Sequence, residues 1–138
     1  MKNIEIVVLE NEELLKFNAL FYDELLLELP DDALLLGAIS TEKEVPEAAG
    51  LFIFHIRERS VFVDWLYVDD EYRNRGVGTA LMDFLKNALI NAEGADVDVI
   101  FINFNETVVG MGRFLRDNGF AVTFFDGNFN IYAPLNRV

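Results

Sequence analysis

The residues with the clearest chemical potential form one short run, Arg73-Asn74-Arg75-Gly76-Val77-Gly78-Thr79. It joins an apolar, β-branched segment, Val61 to Val68, to an amphipathic one that begins at Val77. A strand-to-helix junction gathers free backbone N–H groups and the positive end of the helix dipole at one point, which makes an anion site. Gly76 and Gly78 permit close approach and positive φ, and Arg73 and Arg75 add local positive charge. A pyrophosphate fits these features. Two other phosphate loops are excluded, because the run lacks Gly-Lys-Ser/Thr and Leu81 stands where a dinucleotide fingerprint has its third glycine. The alternative is a glycine-assisted turn carrying solvated arginines.

A proton acceptor is the second requirement for most transfer chemistry. Asp64 is the only carboxylate between Val61 and Val68. Desolvation in an apolar strand favours proton uptake by a carboxylate, so Asp64 is the candidate general base, with a structural hydrogen bond as the alternative. The single histidine, His55, lies in an apolar stretch and reads as a packing or hydrogen-bonding residue. Ser40 and Ser60 are isolated, which leaves no Ser-His-Asp arrangement, and the absence of cysteine excludes thiol nucleophiles, disulfides and zinc ribbons. One histidine also makes a metal cluster unfavourable, and no metal is expected.

These residues need a scaffold, and the pattern supplies one. Ile4 to Leu9 predicts a strand, and Asn11 offers a cap for a helix carrying Leu14, Phe17, Phe21 and Leu25, which fades before Pro30. Ala33 to Ser40 predicts a strand, Thr41 to Ala49 an exposed turn, Gly50 to Arg57 a strand, and Val61 to Val68 a buried one. From Val77 the apolar positions Ala80, Leu81, Phe84, Leu85, Ala88 and Leu89 follow helical spacing. Gly94 closes that helix, and Val97 to Ile102 predicts a strand. A further helix, weakened at its front by Gly110 and Gly112, ends at Asn118-Gly119. Phe120 to Phe125, Asp126-Gly127 and Phe129 to Tyr132 predict a hairpin. The order is that of an α+β fold with mixed α/β layers.

With the elements in place, the stretch from Asp64 to Leu81 resembles the acetyl-CoA signature of GNAT acyltransferases, whose pattern is Arg/Gln-x-x-Gly-x-Gly/Ala. Arg73, Gly76 and Gly78 stand at its fixed positions, after Leu66-Tyr67-Val68 and before the amphipathic helix. Phe114 to Phe120 is similar to the family's later Phe-Tyr-x-x-x-Gly-Phe motif. The resemblance implies one domain over residues 1–138, with a splayed, mostly antiparallel central sheet flanked by helices. It also implies acetyl-CoA as co-substrate. The pyrophosphate would lie on the amides of Arg73, Asn74, Arg75, Gly76, Val77, Gly78 and Thr79, and the pantetheine arm along Leu66, Tyr67 and Val68. An amine acceptor would enter from the opposite side for direct transfer in a ternary complex. Asp64 matches a Glu that polyamine acetyltransferases of the family carry. One departure is Leu115, which stands where the family usually has the Tyr that protonates the leaving thiolate. Asn103 and Asn105 are candidates for a family Asn but do not keep its spacing. The rival reading is a non-catalytic acyl-CoA-binding or protein-interaction domain.

Composition narrows the partners. A chain of 138 residues, 52% hydrophobic and with 13 Phe, has material for one core. Its net charge of −13 repels nucleic acid and anionic membrane surfaces. Residues 1 to 32 carry nine carboxylates against Lys2 and Lys16, a net of −7 that would draw in a cationic amine if this region walls the acceptor site. A solvated helix face is the alternative. The N-terminal ten residues lack the uninterrupted core of a secretory signal, and Ala33 to Thr41 is too short to span a bilayer. A cytoplasmic protein is expected, with a homodimer or a further domain left open by the Phe-rich stretches.

Overall fold

The computed structural model describes residues 3–91, 99–102, 117–125 and 128–134. Seven strands form a single sheet: β1 (Ile4–Leu9), β2 (Leu34–Ser40), β3 (Glu47–Arg57), β4 (Ser60–Val68), β5 (Val99–Ile102), β6 (Ala121–Phe125) and β7 (Asn128–Pro134). Their order is β1-β2-β3-β4-β5-β7-β6. Only β4 and β5 run parallel; the other pairings are antiparallel. The fold is therefore α+β with a mostly antiparallel sheet.

Strand β4 positions the site. Its first half pairs with β5 from Ser60↔Val99 to Val63↔Ile102, while its second half, Asp64 to Val68, pairs with β3 alone among the described residues. On the β3 side the register steps from Phe54↔Val63 to Ile53↔Trp65, so Asp64 has no Cα partner. This is a β-bulge, and it sets Asp64 and Trp65 on the same face of the sheet.

One face is covered by α2 (Val77–Asn91), which buries Val77, Leu81, Met82, Leu85 and Leu89 against Leu36, Phe52, Phe54, Val61 and Val63. Gly50 allows this approach, because a Cβ there would lie 3.1 Å from Val77 and 3.2 Å from Leu81. The opposite face is covered by a 3₁₀ run, Asn11–Leu20, and a single turn, α1 (Leu25–Glu28). The expected single helix through Leu14, Phe17, Phe21 and Leu25 is corrected here. The buried residues are Leu14, Phe17 and Leu20, three apart, and that period matches the three residues per turn of a 3₁₀ helix. Its first turn is closed by Glu10, whose N–H donates to Glu13 Oε1 at 3.0 Å, and not by Asn11. Phe17 reaches so far in that a Cβ on Gly37 would lie 2.5 Å from its ring.

One more expectation changes. Strand β3 starts at Glu47, inside the segment expected to be an exposed turn, because Ser40↔Glu47 and Ile39↔Ala48 extend the β2 pairing. Phe52 and Phe54 are core residues. Gly94, Gly110, Gly112 and the Asp126-Gly127 turn lie outside the described residues. Asp117 is helical and Gly119 follows at φ 80°, the left-handed position expected of it. No described helix is long and apolar enough to cross a membrane.

Candidate active site

The glycine loop joins the second half of β4 to the start of α2. Asp69 caps a short 3₁₀ turn, Asp70–Tyr72, by accepting the Glu71 N–H at 2.9 Å. The chain then passes through Asn74 at φ 62° and Gly76 at φ 85° into the helix. Gly78 does not share this role, because it lies within α2 and has no positive φ. Asn74 takes the second left-handed position, which Asn tolerates better than most residues. Ala80 N–H donates to Gly76 O at 2.9 Å as the helix begins. Among the described residues, the amides from Asn74 to Thr79 donate to no backbone carbonyl outside the helix. An anion at this point would meet several aligned N–H groups and the positive helix end.

The arginines are less free than the sequence suggests. Arg73 folds back, with Nε donating to Val68 O at 2.9 Å, a 2.8 Å ion pair to Asp70, and its guanidinium 4.9 Å from the centre of the Tyr67 ring. Arg75 is paired with Glu42 of the β2–β3 connection and lies 5.2 Å from the centre of the Tyr72 ring. Glu42 is held below the ordinary carboxylate range by that arginine. Tyr72 is buried, and its hydroxyl donates to Glu47 Oε2 at 2.7 Å. Lys43 bridges Glu47 and Glu71 at 3.2 and 2.7 Å. The local positive charge is thus offset by neighbouring carboxylates, and the amides are the part of the site left to receive an anion. Behind the loop, Asn118 Nδ2 donates to Thr79 Oγ1 at 3.2 Å, and Lys86 Nζ donates to Asn118 O at 2.8 Å. Burial pulls Lys86 below its ordinary pKa. Asn118 is thereby anchored to α2.

Along the rest of β4, Leu66 and Val68 face the α2 core, whereas Trp65 and Tyr67 join the opposite layer. Trp65 Nε1 donates to Leu20 O at 2.9 Å, and Tyr22 meets the Trp65 ring edge-on with centroids 5.2 Å apart. These contacts tie the acidic 3₁₀ layer to the strand that carries Asp64.

Asp64 does not stand alone. Its Oδ2 lies 2.8 Å from His55 Nδ1, and both side chains are about one-fifth exposed, at 19% and 18%. An ionised carboxylate only accepts, so His55 Nδ1 carries the hydrogen. The His55 ring stacks on Phe62, with centroids 5.4 Å apart and planes 17° apart. One turn of the sheet away, Arg57 forms a two-pronged pair with Asp32, at 2.6 and 2.9 Å. The hydrogen-bonding alternative for His55 is the one observed; its partner went unread because the contact spans nine residues. The signal was present in the antiparallel hairpin: a turn at Arg59-Ser60 sets His55 opposite Phe62, two positions from Asp64. Leu115, Phe114, Asn103 and Asn105 lie outside the described residues.

A family model described as an acetyltransferase (GNAT) domain matches residues 31–122. No curated protein matches the sequence. Solved structures of the same fold include the ribosomal-protein-S18-alanine N-acetyltransferase from Escherichia coli, with a TM-score of 0.75 at 14% identity over 98% of this chain and 96% of that one. The PaiA N-acetyltransferase from Thermoplasma acidophilum, solved in complex with coenzyme A, gives 0.70 at 16% identity over 95% and 98%. The spermidine/spermine N-acetyltransferase SpeG from Vibrio cholerae gives 0.65 at 13% over 96% and 93%. At these identities the likeness is one of fold.

Proposed function

Because the chain belongs to the GNAT acetyltransferase family, we propose that it moves the acetyl group of acetyl-CoA to a primary amine, by direct attack in a ternary complex. The observation that carries this reading is the run of β4 from Asp64 through Val68 into the Gly76 loop, whose amides stand at the start of α2. In this reading the pyrophosphate lies on the amides of Arg73 to Thr79. The pantetheine arm follows Leu66, Tyr67 and Val68. Arg75 then shares or leaves Glu42.

The acceptor approaches from the opposite face, where Asp64, Trp65 and the 3₁₀ layer meet. Acceptors named for proteins of this fold run from a ribosomal-protein alanine to spermidine and spermine, so the class is an amine. The exposed carboxylates Glu12, Asp23, Glu24 and Glu28 favour a cationic one. An amine of pKa about 10 costs about 4 kcal/mol to deprotonate at pH 7, whereas a thiol of pKa about 8.5 leaves readily near neutrality. Proton removal is therefore the larger demand, and we assign it to the Asp64 end of the site. Leu115 in place of a tyrosine leaves thiolate protonation to water. The cysteine-free sequence is compatible with the cytoplasmic location this reading adopts.

Thiol release from acetyl-CoA, followed over a panel of polyamines, aminoglycosides and peptide N-termini, tests the proposal. Amine-dependent thiol release that drops about 10²- to 10⁴-fold in Asp64→Asn is the expected result. Acetyl-CoA binding without turnover on any amine would favour the non-catalytic alternative.

A further inference from the structure

We propose that the atom receiving the acceptor's proton is His55 Nε2, and that Asp64 is the positioning residue which holds the imidazole for it. This rests on the acetyl-transfer reading above and assigns its proton step to particular atoms.

Four observations carry it. His55 stands opposite Phe62, so Asp64, two residues further along β4, shares its face, and the 2.8 Å contact takes up His55 Nδ1. That bond fixes the neutral ring as the Nδ1–H form, which leaves the lone pair on Nε2. Stacking on Phe62 fixes the plane of the ring. Among the described residues Nε2 has no hydrogen-bond partner, and no buried side-chain nitrogen or oxygen lacks one, so Nε2 reaches solvent. A base held by an orienting carboxylate, with its free nitrogen turned outward, is the arrangement that proton transfer to and from a nucleophile requires.

The choice between the two groups follows from matching. A base works best when its pKa lies near the operating pH; imidazoles titrate near about 6.5 and carboxylates near about 4. A carboxylate alone is a poor partner for an ammonium of pKa about 10. The charged groups around the pair are Asp32 and Arg57, locked on each other, with Arg57 near Asp64 and Asp32 near His55.

The step balances as follows. The ammonium gives one proton to His55 Nε2. The free amine attacks the thioester carbonyl carbon, forming N–C as C–S breaks. The attacking nitrogen loses a second proton, the thiolate takes one up, and His55 returns its own to solvent.

His55 is the only histidine in the chain, so its ring nitrogens give unambiguous NMR signals. The wild-type protein should show the Nδ1–H tautomer at alkaline pH, and Asp64→Asn should lose that preference. The acidic limb of kcat/KM should fall in the imidazole range and vanish in His55→Gln, with turnover down about 10²-fold or more and acetyl-CoA affinity unchanged. Asp64→Asn should lower kcat while leaving KM for acetyl-CoA in place. An Nε2–H tautomer in the wild type, or a limb in the carboxylate range that survives His55→Gln, would overturn the inference while leaving acetyl transfer intact. Failure of wild-type protein to acetylate any amine overturns both, and circular dichroism of each variant separates misfolding from chemistry.

Discussion

On one face of the sheet, α2 lays Val77, Leu81, Met82, Leu85 and Leu89 onto the strands at the spacing of a regular helix. On the other, a 3₁₀ run and one α-turn lay down Leu14, Phe17, Leu20 and Leu25, and leave Leu15 and Leu27 73% and 88% exposed. The first face ends in the anion loop, the second in the Asp64–His55 pair. Under the proposed acetyl transfer, binding a constant group, the nucleotide end of acetyl-CoA, calls for a fixed backbone, which a regular helix start would provide, and accepting a particular amine would fall to a layer whose backbone is irregular and whose surface is acidic.

The contrast can be broken first at its two anchors. Phe17, 1% exposed, pins the 3₁₀ layer, and Leu81, fully buried, pins α2. Phe17→Ala should cost about 3–5 kcal/mol and Leu81→Ala about 2–5 kcal/mol in urea unfolding. If the faces divide the work, Phe17→Ala under folding conditions keeps acetyl-CoA affinity and raises the acceptor KM, whereas Leu81→Ala weakens acetyl-CoA binding. Equal effects of both on acetyl-CoA would erase the division.

The glycines sharpen it next. A Cβ at Gly37 would meet the Phe17 ring at 2.5 Å, closer than real Cβ contacts come, while one at Gly50 would meet Val77 at 3.1 Å. Gly37→Ala should cost about 1–3 kcal/mol and Gly50→Ala less, because the methyl groups of Val77 and Leu81 can give by a few tenths of an ångström. A reversed order in thermal unfolding would show that the 3₁₀ layer yields more easily than the helix.

A smaller effect comes from Glu42, which competes with any anion for Arg75. Surface ion pairs are weak and screened by salt, so Glu42→Gln should tighten acetyl-CoA binding only by about 1.5- to 5-fold in low salt. Weaker binding would mean that Glu42 orients Arg75 for the ligand. The smallest effect is on acid stability. Glu47 is held below its ordinary value of 4.5, first by the Tyr72 hydroxyl and then by Lys43. A carboxyl group depressed by folding stabilises above that ordinary value, and the gain is lost as pH falls through the folded one. Glu47→Gln should therefore lower stability at neutral pH and flatten its decline below about pH 4.5, which acid titration by circular dichroism would follow.

The same contrast explains what could be read from the chain. Strand β1, the start of α2 and the glycine junction are local: alternation, helical spacing and a turn residue each act within a few positions, and the sequence spells them out. The fate of Arg75 is not local, because Glu42 lies 33 residues away across a sheet. Nor is the break in the first helical region. Leu14, Phe17, Phe21 and Leu25 fit an α-helix as written, and only the cavity left by Gly37 selects the three-residue spacing of Leu14, Phe17 and Leu20. His55 escaped notice for the same reason. Its partner is set by a cross-strand register, His55 opposite Phe62 with Asp64 two residues on, which no local pattern announces.

The most direct test of the central claim is a calorimetric titration of acetyl-CoA into the wild-type protein and into Gly76→Trp, with folding of both checked by circular dichroism. Saturable binding to the wild type that is lost in the folded variant is the expected outcome. It would place the nucleotide on the Asn74 to Thr79 amides. No heat from a folded wild-type protein, or equal binding by both, would contradict the assignment of this loop as the acetyl-CoA site.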